Sequence, residues 1–354
     1  MRIFDYSFLK NKPIPVNTVN LLTTVEKLTI DRRTLIDSYP KLFKELTKIA
    51  IVQSIISSNA IEGIVTTDER IKDLLNGSVS PMNYNENEIL GYKDVIDLIH
   101  NNYNEYSFSE EQILAFHQLL LSYERPSYAG KYKSSNNVIL EISKNGTRSV
   151  RFRPTPANET PFAMEQMILA YMDARDDSSI NQLLLIPCVI LDFLSIHPFS
   201  DGNGRMSRLL SLLLLYKNGF SIGKYISFEN QINLNKKEYY QSLKLSSDNW
   251  DKSTNDYYPF INHFLVTLIR CYNELDKRLN ILSSKVTNKK ERIKMTIEKS
   301  SVPLSRKDLM ELWPDISVDT FKKALIKLQD EGTIQKIGNF KNAKYKKNER
   351  NTVH

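Results

Sequence analysis

Twelve consecutive residues constrain this chain more than any other segment. They read HPFSDGNGRMSR and run from His197 to Arg208. An apolar run at 183–196 precedes them and another at 209–216 follows, which predicts a helix, a polar loop and a second helix. The second helix would begin near Arg205 and point its unpaired N–H groups and positive dipole end into the loop. The segment therefore predicts an anion site at a helix N-terminus.

The residue types in this segment indicate a polyphosphate as the anion. Gly202 and Gly204 remove the side chains that would keep the backbone from curling around an oxyanion. Arg205 and Arg208, three residues apart, present two cations to one side. Asp201 offers an oxygen ligand for a hard cation on the phosphates, and the histidine that opens the segment can accept a hydroxyl proton. The alternative, a polar connection with a glycine turn, requires none of these charged groups.

The segment resembles the motif of the Fic family of nucleotidyltransferases, H-P-F-x-[D/E]-G-N-G-R-x-x-R, at every fixed position. The resemblance implies a mainly α fold, a Fic-type helical bundle with a small β-hairpin flap. It implies an enzyme that transfers AMP from ATP to a Ser, Thr or Tyr hydroxyl of a target protein and of itself. His197 would be the general base and Asp201 the ligand of Mg²⁺. The nucleotide would be bound by Gly202, Asn203, Gly204, Arg205, Met206, Ser207 and Arg208.

A second match lies upstream, where SNAIEG at 58–63 resembles the family's inhibitory pattern [S/T]-x-x-x-E-[G/N]. Apolar residues at helical spacing predict a helix over about 41–63 that stops at Gly63. Glu62 at its C-terminal end faces the negative end of the helix dipole and needs a cation. The resemblance implies that Arg208 is this cation and that Ser58, Glu62 and Gly63 restrain ATP binding. The alternative is an exposed glutamate beside a helix-ending glycine.

Two further segments resemble supporting parts of the family. Short β-favouring runs around an Asn-Gly turn at 144–146 predict a hairpin over about 133–153, similar to the flap on which target proteins dock by strand addition. An ordinary hairpin is the alternative, and Lys133 stands where relatives carry Arg. The residues expected to bind the nucleotide also include Glu62, which would lie near the phosphates. The residues that would line the adenosine pocket are Tyr239, Tyr240 and Leu243. Core packing is an equal reading for Tyr239, and Ser247 stands where some relatives carry Asn.

The chain divides into three predicted regions, at 1–108, 109–284 and 285–354. The first is an N-terminal helical region in which residues 1–40 show few long periodic runs and carry Pro13, Pro15 and Pro40. The second is the Fic catalytic core. Outside the motif, the helices of these two regions are predicted at 85–102, 109–122, 164–173, 183–196 with a kink at Pro187, 236–246 and 257–283.

The third region holds the basic excess of the chain. Residues 285–354 contain 17 Lys and Arg against 9 Asp and Glu, whereas the whole chain has a net charge of +7. Helices predicted at 291–299, 305–313 and 318–330, followed by a strand near 333–337, resemble a winged helix-turn-helix domain. Such a domain contacts DNA or protein, and the pattern leaves both open. The alternative is a helical packing domain with a solvated basic face.

Several classes of protein are disfavoured by the remaining residues. Cys188 and Cys271 are isolated in apolar surroundings, which predicts no disulfide and a cytoplasmic location. No signal peptide, membrane span, zinc-ligand spacing or P-loop pattern occurs, so no membrane association is expected. Transfer of another nucleotide or phosphate-containing group, such as UMP or phosphocholine, stays open. So do an ATP-sensing DNA-binding regulator and a homodimer.

Overall fold

The computed structural model describes residues 2–38, 40–65, 67–75, 77–142, 148–283, 289–300, 302–313, 316–338 and 343–348. Most of these residues lie in helices, and the strands are short, so the predicted mainly α class is confirmed. The helices are α1 (Phe8–Asn11), α2 (Val16–Ser38), α3 (Pro40–Ile61), α4 (Asp68–Leu75), α5 (Tyr84–Asn102), α6 (Glu110–Leu120), α7 (Thr160–Arg175), α8 (Gln182–Ile196), α9 (Asn203–Lys217), α10 (Phe228–Leu234), α11 (Lys236–Ser247), α12 (Tyr258–Ser283), α13 (Lys289–Lys299), α14 (Arg306–Leu312) and α15 (Val318–Asp330). The strands are β1 (Ile139–Ile142), β2 (Arg148–Phe152), β3 (Leu304–Ser305), β4 (Ile334–Ile337) and β5 (Lys344–Lys347).

The N-terminal segment differs most from the sequence expectation, because the long helix α2 fills a stretch with little apolar periodicity. Its buried residues include Thr18 and Thr29, which weaken the apolar pattern. Pro15 stands directly before α2, and Pro40 is the first residue of α3. A proline in the first helical turn loses no intrahelical hydrogen bond, and its fixed φ suits the helix. These prolines therefore begin helices instead of excluding them.

Two apolar helices carry the motif through the centre of the fold. Nearly every side chain of α8 and α9 is buried, and α8 continues through Pro187 from Gln182 to Ile196. The helix α8 contacts α7, α9 and α12, while α9 also contacts α3 and α5. A helix that is apolar on all sides belongs in a protein core. The loop between α8 and α9 is thus anchored by the most buried elements of the chain.

The predicted hairpin consists of β1 and β2, which pair antiparallel with Leu140 opposite Val150. The predicted turn at 144–146 lies outside the described residues. Val138, Leu140 and Val150 are each more than 40% exposed. Each strand of this sheet pairs only with the other in the described part of the chain. Exposed apolar side chains on an unpaired strand edge favour the addition of a further strand.

The C-terminal region has a hydrophobic core of its own, formed by residues between 293 and 334. Helix α13, β3, helices α14 and α15, and then β4 and β5 follow in chain order, with sheet order β3-β5-β4. Ser305 and Asp308 form a capping box at the start of α14. This region contacts the rest of the chain through α14 against α3 and α13 against α12. Its assignment as a winged helix-turn-helix domain stays a prediction, and the expected boundary near 285 falls outside the described residues.

Two bulk features of the chain bear on the sequence expectations. Cys188 and Cys271 are both buried, and neither forms a disulfide within the described residues. Across the described ranges, no helix combines the length and the apolarity that crossing a membrane requires.

Candidate active site

The motif loop turns sharply because two of its residues have left-handed backbone conformations. His197 ends α8 with φ 52°, and Gly202 precedes α9 with φ 80°. Glycine takes this conformation without steric cost, whereas a histidine there is strained. The side chain of Asn203 braces the turn, because it accepts from Phe199 N at 2.9 Å and donates to Phe199 O at 2.8 Å. The turn brings His197 and the first residues of α9 to one cleft.

His197 has the tautomer and the charge that a base requires. Its Nδ1 lies 3.2 Å from Leu194 O. A carbonyl oxygen only accepts, so Nδ1 carries the proton and Nε2 keeps its lone pair. Burial lowers the pKa of His197 to about 4, although the bond to Leu194 acts in the opposite direction. The imidazole is therefore neutral near pH 7 and can accept a proton through Nε2.

His117 on α6 holds the motif loop from outside the motif. Its ring stacks on Phe199, with centroids 3.7 Å apart and planes 5° from parallel. Its Nδ1 accepts from Gly130 N at 3.0 Å, so Nε2 carries the proton and donates to Asp201 O at 3.1 Å. Burial lowers the pKa of His117 to about 4, so this arrangement persists at neutral pH.

Lys133 ties the approach to the hairpin to the end of α8. Its Nζ donates to Ile196 O at 3.0 Å and to Asn137 Oδ1 at 2.9 Å, and its backbone N–H donates to Pro198 O at 2.9 Å. Burial lowers the pKa of Lys133 to about 8. The ammonium thus performs a bridging role at the position where the family resemblance expects an arginine.

Asp201 is the exposed carboxylate of the loop, with 44% of its side chain accessible. Its Oδ1 accepts from Gly202 N at 2.6 Å, and its Oδ2 accepts from the Tyr84 hydroxyl at 2.8 Å. Burial, followed by the bond to Asp201, raises the pKa of Tyr84 to about 12, so the phenol stays a donor.

The surroundings of Asp201 fit Mg²⁺ better than a metal held by protein ligands alone. The described residues contain no group of three or more His, Cys, Asp or Glu side chains that could hold a metal ion. Mg²⁺ takes one or two protein carboxylates and completes its shell with phosphate oxygens and water. A single accessible carboxylate beside a helix N-terminus matches that requirement.

Arg205 is buried beneath the loop and does not line the cleft. It forms an ion pair with Glu88 on α5, and both side chains are only 1% exposed. Its Nη2 also lies 3.5 Å from Asp201 Oδ2. A buried arginine requires such a counter-charge. Direct contact between Arg205 and phosphate therefore stays a prediction.

Arg208 is held by the end of α3. Its Nε donates to Ser58 Oγ at 2.8 Å, and its Nη2 lies 2.9 Å from both Ser58 O and Glu62 Oε1. Burial is the largest single influence and acts to lower the pKa of Arg208, but the Glu62 carboxylate together with Tyr239 and Tyr92 outweighs it, so the net shift is upward. Gly63, with φ 81°, ends the helix directly after Glu62. Thus Ser58, Glu62 and Gly63 lie together where α3 meets α9.

Glu62 also lies against the N-terminal turn of α9. A Cβ built on Gly204 would be 2.1 Å from Glu62 Oε1 and 3.3 Å from Arg208 Nη1. A side chain at this position would force the Glu62 carboxylate to move. The carboxylate thus stands at the helix N-terminus where an anion is favoured.

Two side chains of α11 hold the last turn of α3. Lys236 Nζ donates to Ile61 O at 2.6 Å and to Ala60 O at 3.4 Å. One turn later, the Tyr240 hydroxyl lies 3.5 Å from Ile61 O. The last carbonyls of a helix lack intrahelical partners, and a lysine there also complements the dipole. The helix that carries the predicted adenosine-binding residues therefore also fixes the segment that carries Glu62.

A cleft of 810 Å³ opens between the motif, the hairpin and α11. The predicted residues that line it are Glu62, His197, Gly204, Arg208, Tyr239, Tyr240 and Leu243. The predicted residues outside its lining are Ser58, Gly63, Asp201, Gly202, Asn203, Arg205, Met206 and Ser207. Tyr240 is partly buried at the cleft, whereas Tyr239 is 4% exposed and packs on Phe260. Tyr239 therefore serves the core as well as the cleft wall.

Four side chains near the motif were absent from the predicted site: Tyr84, Glu88, His117 and Lys133. Lys133 carried a signal, because the stretch before the hairpin resembled the family, and Glu88 carried a weaker one. Glu88 is an acid directly before the apolar Ile89 and Leu90, which hints at a buried partner without identifying it. Tyr84 and His117 gave no signal, since spacing along the chain does not reveal contacts between distant helices.

Comparisons with known proteins place the motif in a recognised domain. Residues 107–215 match the Fic/DOC family. The protein adenylyltransferase Fic of Nematostella vectensis is 25% identical over 185 residues, which are 50% of this chain and 40% of that protein. A Fido domain-containing protein of Dictyostelium discoideum is 34% identical over 97 residues, 26% of this chain and 64% of that protein. The matched stretches span less than two thirds of either relative.

A solved structure extends the similarity to nearly the whole chain. The crystal structure of a Fic family protein from Desulfovibrio desulfuricans G20 superposes with a TM-score of 0.63 at 21% identity. The superposition covers 96% of this chain and 98% of that one. At this identity the likeness concerns the fold, and it confirms the predicted Fic-type helical fold with a small antiparallel hairpin.

Proposed function

We propose that this chain, whose residues 107–215 match the Fic/DOC family, is a Fic-type transferase that transfers AMP from ATP to a hydroxyl group of a target protein. One observation supports the proposal most. A neutral imidazole, a buried arginine and the N-terminal turn of a helix line the same cleft, at His197, Arg208 and Gly204. A site that only binds a nucleotide would not require a general base, such as His197, next to the proposed phosphate-binding residues.

In the proposed reaction, the target hydroxyl approaches His197. Its oxygen forms a bond to the α-phosphorus of ATP, and the bond from that phosphorus to the bridging oxygen breaks. His197 Nε2 takes the hydroxyl proton, and pyrophosphate leaves. The products are an AMP-modified protein and pyrophosphate, so atoms and charge balance.

The phosphates would lie over the N-terminus of α9. The N–H groups of its first turn and the Arg208 guanidinium supply donors fixed by the fold. Asp201, phosphate oxygens and water would hold Mg²⁺, which neutralises phosphate charge when it is bound. Arg205 would contribute by holding Asp201 from below, because it lies 3.5 Å from that carboxylate.

The base of the nucleotide would lie against α11. Tyr240 presents a partly buried aromatic ring to the cleft, and Leu243 lies three residues further along the same wall. Aromatic and aliphatic faces suit a stacked purine. These contacts do not distinguish one base from another, so the proposal of ATP as the donor depends mainly on the named Nematostella relative.

We also propose that Glu62 restrains the reaction. Its carboxylate pairs with Arg208 and occupies the space above Gly204. A γ-phosphate would compete for the same arginine. A charge-assisted pair of this kind contributes on the order of 1–3 kcal/mol. That corresponds to roughly 5- to 150-fold in population, which suits a restraint that a signal can release.

The target would dock along the hairpin. The exposed Leu140 and Val150 lie on a two-stranded sheet beside the cleft, Val138 directly precedes the first strand of this sheet, and Val138 and Leu140 line the cleft itself. A target segment added to this sheet would carry its hydroxyl towards His197.

The test is transfer of label from α-³²P-ATP to the chain itself and to lysate proteins. We expect transfer by the parent and none by His197→Ala, with ATP binding retained. His100→Gln, a change at another buried histidine, is the control for folding. Labelling by His197→Ala at the parental rate would exclude the assigned base. Parallel reactions with GTP, CTP, UTP and CDP-choline identify the donor. If one of these compounds supplies the transferred group and ATP does not, the proposal of AMP transfer is wrong.

A second proposal concerns the C-terminal region, which we infer contacts the phosphate backbone of DNA. Lysines are exposed on α15 and on the strands that follow, at Lys322, Lys323, Lys327, Lys336, Lys344 and Lys347. Phosphate contacts of this kind weaken steeply as salt increases. Binding of duplex DNA that does not respond to salt, or no binding, would contradict the proposal.

A further inference from the structure

Helix α5 presents a stripe of polar side chains to the motif. Tyr84 and Glu88 are one turn apart on α5, and their partners Asp201 and Arg205 are likewise four residues apart. Residues at this spacing share one face of a helix. Tyr84 and Glu88 therefore lie on one face of α5, and this face meets Asp201, in the loop before α9, and Arg205, in the first turns of α9.

The first contact is the hydrogen bond from the Tyr84 hydroxyl to Asp201 Oδ2, at 2.8 Å. The other carboxylate oxygen, Oδ1, accepts from Gly202 N at 2.6 Å. Both oxygens of Asp201 are thereby oriented, while the carboxylate stays accessible on its outer side. Tyr84 is itself nearly half exposed, so its hydroxyl is not a core contact.

The second contact ends at the same atom. Glu88 pairs with Arg205 in the protein interior, and Arg205 Nη2 lies 3.5 Å from Asp201 Oδ2. Glu88 thus acts on Asp201 through Arg205, whereas Tyr84 acts on it directly. Two side chains of α5 converge on one carboxylate oxygen of the motif loop.

We propose that Tyr84 and Glu88 are positioning residues that fix the Asp201 carboxylate for a divalent cation bound to the nucleotide phosphates. The proposal rests on the proposed nucleotide transfer and adds to it a control of metal affinity by α5. Partners that orient a metal-binding carboxylate typically contribute 10- to 100-fold to metal affinity. Tyr84→Phe, which removes one hydroxyl, should raise the Mg²⁺ concentration for half-maximal ATP binding by about tenfold.

The experiment measures ATP binding to the full chain by equilibrium dialysis over a series of Mg²⁺ concentrations. Tyr123→Phe is the matched control, because its phenol is similarly exposed and donates to Asp94 Oδ2 at 3.0 Å, away from the motif. For Glu88→Gln the matched control is Glu86→Gln, since Glu86 is a buried glutamate on α5 that pairs with Arg70. We expect Tyr84→Phe and Glu88→Gln to shift the Mg²⁺ midpoint, and the two controls to leave it unchanged.

A double change separates positioning from a structural role. In an Asp201→Asn background, Tyr84→Phe should have no further effect on the Mg²⁺ midpoint, because the oriented carboxylate is gone. An unchanged midpoint in Tyr84→Phe alone, or equal shifts in Tyr84→Phe and Tyr123→Phe, overturns the inference and leaves the proposed function intact. A parent chain that binds no ATP at any Mg²⁺ concentration overturns the proposed function and this inference together.

Discussion

Glu62 Oε1 stands where a side chain on Gly204 would have to be, since a Cβ there would lie only 2.1 Å from it. The same oxygen lies 2.9 Å from Arg208 Nη2. The first turn of α9 and Arg208 favour one anion in this space, whether it is a carboxylate or a phosphate oxygen. We therefore expect Glu62 and a phosphate to compete for this space.

Replacing Glu62 with Gly should raise self-modification and tighten productive ATP binding by about tenfold or more, because Arg208 becomes available to the γ-phosphate. Initial rates of label transfer at saturating Mg-ATP measure the effect. Glu45→Gly is the control, since it places a glycine elsewhere on α3 at a glutamate that pairs only with its neighbour Lys48 among the described ion pairs. A Glu62→Gly chain no faster than its parent would contradict the proposed restraint.

The gain from Glu62→Gly should depend on Arg208. The double variant Glu62→Gly with Arg208→Ala should lose the gain, because the released arginine is the group that holds the phosphate. The two changes should therefore be strongly non-additive in a double-mutant cycle of transfer rates. Additive effects would mean that Glu62 acts on some other group.

The rate of transfer should show no inflection at the ordinary histidine pKa of about 6.5. Burial lowers the pKa of His197 to about 4, so the base stays neutral as the pH falls from 8 to 6 and becomes protonated only near 4. The rate is followed with pH, with circular dichroism at each point to exclude unfolding. A decline centred near pH 6.5 in a folded chain would show that His197 is not held in this buried, neutral form.

Lys236→Ala should release part of the restraint. Lys236 donates to Ile61 O at 2.6 Å, directly before Glu62, so its loss loosens the last turn of α3. We expect a rise in transfer of a few-fold, smaller than that of Glu62→Gly, because a lysine at a helix C-terminus contributes roughly 0.3–1 kcal/mol. Lys236→Arg keeps a donor and should behave as the parent. A drop in activity for both variants would instead assign Lys236 to nucleotide binding.

Removal of residues 285–354 should leave a folded chain that still transfers AMP, because the C-terminal region has its own hydrophobic core. The truncated chain should lose all salt-sensitive DNA binding. Circular dichroism, label transfer and DNA binding at two salt concentrations test the three points. A folded but inactive truncation would show that this region completes the active site.

The chain should lose stability steeply in mild acid. Burial lowers the pKa of His100 to about 3 and those of His117, His197 and His263 to about 4. Below pH 6.5 the unfolded chain binds protons at these positions and the folded chain does not, so stability falls as pH falls towards 4. Each histidine contributes about 1.4 kcal/mol per pH unit in this window. Urea unfolding at pH 7 and at pH 5 measures this loss of stability. An equal free energy of unfolding at the two pH values would show that the histidines are not held in their neutral, buried form.

Much of this architecture followed from apolar periodicity, since α5 to α9, α11 and α12 begin and end within a few residues of their expected positions. Helix α2 could not be predicted in this way, because its buried face is narrow and includes threonines, so its apolar residues show little helical periodicity. In addition, Pro15 and Pro40 suggested interruptions of a helix. Local pattern reports which face of a helix is buried. It does not report whether a proline starts a helix or ends one.

Within the cleft, the motif pointed to His197 and Arg208 and a separate segment pointed to Tyr239, Tyr240 and Leu243, but neither segment revealed the surrounding residues that determine the protonation and contacts of these side chains. The stacking of His117 and the contacts of Tyr84 join residues far apart in sequence, which spacing cannot reveal. Arg205 shows the limit most clearly, because a motif arginine expected at phosphate is paired with Glu88 in the interior. The chemistry of a residue depends on its burial, and burial is a property of the whole fold.

Helix α3 contacts α14 of the C-terminal region and ends one residue before Glu62. If Glu62 restrains ATP binding as proposed, a ligand that binds the C-terminal region and shifts α3 would change the affinity for ATP by some factor. Thermodynamic reciprocity then requires ATP to change the affinity of that ligand by the same factor. The coupling between the two sites can therefore be measured from either one. A change in the affinity for ATP would reveal a ligand of the C-terminal region without any direct assay of that ligand.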